Sequence, residues 1–339
     1  MKRVWMAGCL AILGLTYLVG CGSTDRASGG DSLLERLLQS GDMGPPAPDK
    51  MTLARQARTD GEYEVALALF REILAANPTD VLAFMGIGDV YLDQEDYTGS
   101  EPYYARAVRI EPRNYSAQSG YGKVLYLLKR FVEAVHVFHI ALTINPEGVE
   151  ANLGLGATYF QMDEPEHAMV FAEKAVQSAP SNGEARANLG MVYEAIDRND
   201  EAIDQYLFAM ELLDDAEEVM VRLTSILYKE QRFQEAANTA DALVKLAPSA
   251  ESYSQFGRAL FRLGSYDRSI ESYRKAVELD ASYWPAQNGI GVNALNTWIW
   301  SEKQDEQARL EARDAFRRSL QANNDQLQVI ILMQKWGLL

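Results

Sequence analysis

Small residues recur at one step along most of this chain, with large apolar residues set between them. Ala54, Gly88, Gly122, Gly156, Gly190 and Thr224 stand 34 apart, Gly257 follows at 33 and Gly291 at 34. A second series keeps step: Ala66, Ser100, Ala134, Ala168, Ala202, Ala236 and Ser269. A third runs through Ala107, Ala141, Ala175, Ala209 and Ala276. Tyr91, Tyr159 and Tyr193, and then Phe70, Tyr104, Phe138, Tyr206 and Tyr273, fill the gaps between them. Pro78, Pro112, Pro146, Pro180 and Pro248 mark the ends of units. Self-similarity at this period predicts a stack of hairpins, each made of two antiparallel helices. Only a small side chain lets two helix backbones approach closely. The first two series therefore mark the crossing within each hairpin, and the third marks contact with the next. Proline disfavours helix at the residue before it and stops the second helix.

Gly257-Arg258-Ala259-Leu260, with Gly264-Ser265-Tyr266 and Tyr273-Arg274-Lys275-Ala276, resembles the consensus of the tetratricopeptide repeat family. Seven regular units lie near 47–80, 81–114, 115–148, 149–182, 183–216, 217–249 and 250–283, and an irregular eighth over 284–324. Asp214 stands where a proline is usual and Thr224 where a glycine is, which weakens two units without shifting the register. The resemblance implies an all-α, right-handed superhelix of about eight hairpins, closed by a capping helix over 325–339. It also implies a protein or peptide partner laid along the concave face lined by the first helices.

The N-terminus is a different kind of sequence. Lys2 and Arg3 precede an uncharged, mostly apolar run from Val4 to Val19, and small Gly20 precedes Cys21. Residues 1–20 read as a secretory signal peptide. Leu18-Val19-Gly20-Cys21 resembles the bacterial lipobox, which implies acylation of Cys21 and a lipid anchor in the cell envelope. An uncleaved membrane anchor is the competing reading, since the run is nearly long enough to span. In an envelope with two membranes, Gly22 after the acylated cysteine implies the periplasmic face of the outer membrane. Cys9 leaves with the signal, so the only two cysteines argue for an anchor and not for a disulfide or metal framework. Residues 21–46 form a tether, flexible at Gly22-Ser23-Thr24 and Gly29-Gly30, and stiffening where it meets the array, at Pro45, Pro46 and Pro48. Within it Asp31–Ser40 can form a short helix with Leu33, Leu34, Leu37 and Leu38 on one side, either transient or docked on the first unit.

Formal net charge is −16, and −18 once Lys2 and Arg3 are removed. Such a chain has no global attraction for nucleic acid or anionic headgroups, so contact with a membrane is expected through the lipid alone. No catalytic constellation emerges, and no enzyme activity, cofactor or metal is expected. His136 and His139 share a face with Glu133 but lack a further ligand. The glycines of Gly86-Ile87-Gly88 and Gly154-Leu155-Gly156 sit at helix crossings and follow no strand, so they form no phosphate cradle.

The groove lining is expected from fixed positions of the first helices. Four residues after the small position stand Arg58, Leu92, Tyr126, Phe160, Glu194, Tyr228, Phe261 and Leu295, and one residue after it stand Arg55, Lys123 and Arg258 among others. With Arg262, these predict an apolar stripe with cations towards both ends, suited to a peptide with apolar anchors and an acidic group. Simple packing of the aromatic residues is the alternative. The eighth unit carries nine extra residues, with Trp298, Ile299 and Trp300 and the charge-rich 301–309, either as longer helices or as a projecting loop. An enzyme-associated or sugar-binding role for this insert is the competing function. The last helix has five apolar residues in a row, Val329 to Met333. If Leu327 and Ile330 pack on the eighth unit, then Val329, Met333 and Trp336 point elsewhere, to be clasped by the insert or to self-associate. In architecture, lipid-anchored repeat chains of this kind resemble the pilotins of type IV and Flp pili and other envelope adaptors.

Overall fold

The computed structural model describes residues 49–339. The expected signal peptide, the acylated Cys21 and the tether with its short helix lie outside the described residues. Seventeen helices and no strand occur among the described residues. The hairpins in chain order are α1 (Lys50–Thr59) with α2 (Tyr63–Ala76), α3 (Val81–Asp93) with α4 (Tyr97–Ile110), and α5 (Tyr115–Leu127) with α6 (Phe131–Ile144). Next come α7 (Val149–Gln161) with α8 (Pro165–Ser178), α9 (Gly183–Ala195) with α10 (Asn199–Leu212), and α11 (Glu217–Lys229) with α12 (Phe233–Leu246). The stack ends with α13 (Ala250–Arg262) and α14 (Tyr266–Leu279), α15 (Trp284–Trp300) and α16 (Glu306–Ala322), and a last helix α17 (Leu327–Trp336).

The small positions do what their spacing predicts. Ser100 on α4 donates its hydroxyl to the Gly88 carbonyl of α3 at 2.8 Å, and Ser269 on α14 does the same to Gly257 of α13. These are buried contacts that a larger side chain would prevent. A Cβ added at Gly88 would overlap the ring of Tyr104, and so would one at Gly120 in the following hairpin. Phe138 is held in the same way between Gly122 and Gly154. Tyr104, Phe138 and Tyr273 are thus each clamped between glycines of two successive first helices, and Phe70 meets Gly86 of the next. Where the ring is lost, the second glycine is lost too: Ala172 is followed by Asn188, and Ala240 by Gln255. Tyr206 breaks the rule, with Gly190 on one side and Arg222 where the next glycine would stand.

Each first helix touches the next first helix along the stack, whereas successive second helices make no comparable contact. The first helices therefore form the inner layer, and their exposed faces line the concave side. At one junction, α9 to α11, this contact falls away. That is the junction where Arg222 replaces the glycine, Asp214 replaces the usual proline and Thr224 replaces the crossing glycine. A long side chain at the closest approach holds the two helices apart.

The eighth hairpin is lengthened in both helices. α15 and α16 have 17 residues each, against 13 and 14 in the regular hairpins. Their turn carries Glu302 and Lys303 at positive φ of 55° and 66°. The face of α17 is the reverse of that expected. Met333 is buried at 1% exposure, and Val329, Leu332 and Trp336 pack with it on the eighth hairpin. Leu327 and Ile331 are exposed instead. The indole of Trp336 decides the orientation, because it meets Trp298 edge to face at 6.3 Å and buries more surface than a leucine can. Lys303 lies over the same indole, and Arg309 donates to the Gly337 carbonyl at 3.2 Å. The residues added to the eighth unit therefore clasp the last helix.

Candidate binding groove

Two cavities lie on the concave face in the middle of the array. A cavity of ≈ 470 Å³ lies over α5 and α7, lined by Ser119, Lys123, Tyr126, Leu127, Leu153 and Ala157, with Glu150 and Glu184 at its edge. A second, of ≈ 360 Å³, occupies the gap between α9 and α11. Its walls are Leu153, Ala187, Met191, Leu213 and Val219, with Glu184, Asp215, Glu218 and Arg222 among the polar residues. Leu153 and Glu184 line both cavities, so the two form one groove across four first helices.

Local structure sets these positions. Three of the first helices, α3, α5 and α9, begin on residues that cap them: Asp80, Asn114 and Asn182 each accept from the backbone N–H three residues on. α7 begins at Gly148, which has no capping side chain. The hydroxyl of Tyr115 replaces it, accepting from the Ala151 N–H at 3.2 Å while donating to Glu150 at 2.9 Å. Only glycine at 148 leaves room for that ring. Burial, with the nearby Glu150 carboxylate adding to it, pushes the Tyr115 phenol up to about 12.

The residues expected to line the groove fall into three places. Lys123 and Tyr126 line the first cavity, and Lys123 is exposed with no ion pair among the described residues. Arg55 and Arg58 lie on α1 at the start of the stack. Arg58 bonds Asp93 and Asp89, both at 2.6 Å, and these partners hold its guanidinium charged. Phe160 packs against the central core. Tyr228, Arg258, Phe261 and Arg262 gather near the turns of the sixth and seventh hairpins. Arg258 lies over Tyr228 at 4.1 Å and Arg262 over Phe233 at 4.3 Å. Tyr126 meets Phe131 at 5.8 Å, Tyr228 meets Phe233 at 5.4 Å, and Phe261 meets Tyr266 at 5.3 Å. At these three hairpins the aromatic position thus fastens the turn. The late cations lie over aromatic rings, and Arg58 is matched by carboxylates.

The groove also uses residues that the sequence reading passed over. Leu153 sits three residues before the small position of its helix and reaches both cavities. Glu150, Glu184 and Glu218 recur at a step of 34 at one edge, and Glu251 follows at 33. Two phenols face inner carboxylates: Tyr104 donates to Asp89, and Tyr206 donates to Glu194 at 2.7 Å. Burial first, and the adjacent carboxylate second, push both phenols far above their ordinary range. The histidines serve local contacts. His167 Nδ1 lies 3.0 Å from Glu164, and His139 lies 3.4 Å from the Tyr159 hydroxyl. Among the described residues no group of three or more His, Cys, Asp or Glu side chains could hold a metal ion.

Two family models, both described as tetratricopeptide repeat, match residues 51–115, 87–149 and 223–283, and residues 149–182. Together they cover more than half of the chain. The chain belongs to the tetratricopeptide repeat family. Heat shock protein STI1 of Saccharomyces cerevisiae is 34% identical over 93 residues, 27% of this chain and 16% of that protein. The match thus spans less than a fifth of that relative. Among solved structures, PilF of Pseudomonas aeruginosa is 20% identical with a TM-score of 0.55, over 61% of this chain and 94% of that one. PilW, described as a widely conserved type IV pilus biogenesis factor, is 19% identical with a TM-score of 0.54, over 58% and 91%. These structures share the fold of the tetratricopeptide array.

Proposed function

We propose that this tetratricopeptide chain is a scaffold of the cell envelope that binds a protein partner along its concave groove. The observation that carries the reading is the groove itself. It is continuous over α5, α7, α9 and α11, apolar at its floor and wide enough at two places to take side chains. Surfaces of this kind on stacked repeats suit an extended or helical segment with a few anchoring residues. The N-terminal sequence supports anchoring through an acylated Cys21, on the periplasmic face of the outer membrane where there is one. PilF and PilW support a role in assembling a pilus or secretion complex, as two examples of the same fold.

The tryptophan-bearing segment gives less support to a sugar-binding role. Trp298 is buried at 7% exposure and holds the last helix. Replacing both Leu153 and Met191 with arginine tests the groove. The pair should abolish partner binding and leave the far-ultraviolet circular dichroism unchanged, since both side chains are only half-buried. Undiminished binding would remove the groove from the account. Cys21→Ser should remove fatty-acid labelling, and persistent labelling would contradict the anchor.

A further inference from the structure

We infer that the segment held in this groove carries a basic side chain, Lys or Arg, that enters the gap between α9 and α11, and an apolar residue that sits over α5 and α7. The inference rests on the groove reading above and adds the chemistry of the partner.

The gap has the shape and polarity of a slot for a long cationic side chain. Its walls are apolar where a methylene stem would lie, at Leu153, Ala187, Met191 and Val219. Its rim is acidic where the charged head would emerge, at Glu184, Asp215 and Glu218. Lys and Arg bury their stems along apolar surface and keep the head in polar surroundings, which matches this division. One cation is present, Arg222, and it reaches Glu218 at 3.4 Å and Glu194 at 3.8 Å. That leaves Glu184 and Asp215 without a cation among the described residues.

The rest of the groove agrees. Glu150 and Glu184 edge the neighbouring cavity, whose lining is mostly apolar, so that cavity suits an apolar anchor. Successive first helices lie about 10 Å apart and an extended chain rises about 3.3 Å per residue. The α5–α7 cavity and the α9–α11 gap are centred two such steps apart, about 20 Å, so the two anchors are about six residues apart. An acidic chain of net charge −16 also draws a basic segment towards it at long range.

The test uses the full chain and a panel of synthetic peptides that share one apolar residue and carry Lys, norleucine or Glu about six positions away. Fluorescence anisotropy should show the Lys peptide binding at least about tenfold more tightly than either of the others, and losing that advantage at high salt. Glu184→Gln combined with Glu218→Gln should abolish the preference for Lys. Both carboxylates are exposed, so the fold should survive, and circular dichroism checks it. Glu211→Gln, on α10 and outside both cavities, should leave the preference in place. Equal binding of the three peptides, binding of none, or an unchanged preference in the double variant would each overturn the inference. A partner segment crosslinked in the groove but lacking a basic residue there would overturn it and leave the groove reading standing. A partner held only on the convex face would overturn both.

Discussion

Tyr115 works at two levels through one hydroxyl. It closes the N-terminus of α7 in place of a capping side chain and orients Glu150 at the groove edge. Tyr115→Phe removes the hydroxyl and keeps the ring, so it isolates the cap. A lost cap costs about 0.5–2 kcal/mol. Urea melts should show a loss of that size, and an unchanged midpoint would mean that solvent already satisfies the Ala151 N–H. The sequence made the crossing glycines legible, because they recur by type and by step. It did not make Tyr115 legible as a cap, because a tyrosine at a helix start carries no capping signal and its partner lies 36 residues away. The glutamate series was legible by its period alone. Its residue type signals only a solvated face, whereas the aromatic position four residues past the glycine carries the apolar signal of a groove. In the structure that position fastens hairpin turns, and Tyr126 alone among its members lines the described groove.

At the scale of elements, the irregular places in the repeat are where the molecule departs from a uniform stack. Asp214 and Thr224 read as weakened units. They flank the junction where α9 and α11 separate, and the residue that holds them apart is Arg222, in the place of the clamping glycine. That consequence could not be read from one sequence, because it depends on which neighbour Tyr206 meets. The extra residues of the eighth unit were legible as an insertion. Their form, two longer helices clasping α17, depended on the fit of Trp336 against Trp298. Met333→Ala should therefore destabilise the C-terminal end by about 2 kcal/mol or more, as buried large-to-small changes do. Ile331→Ala, on the exposed side, should fall within about 0.5 kcal/mol of the parent. Equal effects in thermal melts would mean that α17 is not held by this face.

For the whole molecule, the buried phenols make stability fall in alkali. Tyr104, Tyr206 and Tyr273 are all raised above the ordinary value of 10.0, chiefly by burial. In the unfolded chain they ionise near that value, whereas in the fold they keep their protons to higher pH. Above about pH 10 the unfolded state then binds fewer protons than the folded one, so stability declines as pH rises. Denaturation midpoints should drop steadily above about pH 10 and stay level through the neutral range as far as these phenols decide it. Tyr104→Phe with Tyr206→Phe should flatten the drop, and a drop of equal slope in that variant would assign it to other groups.

The concave face over α5 to α11 is the proposed seat of the partner. Site-specific photo-crosslinking in cells reads this directly, with the probe placed at Leu153 or Met191 in the groove, or at Val132 on α6, which is 73% exposed. One crosslinked protein is expected from both groove positions, attached through the same short segment, with no crosslink to that protein from Val132. A partner attached through Val132 and absent from both groove positions would contradict it.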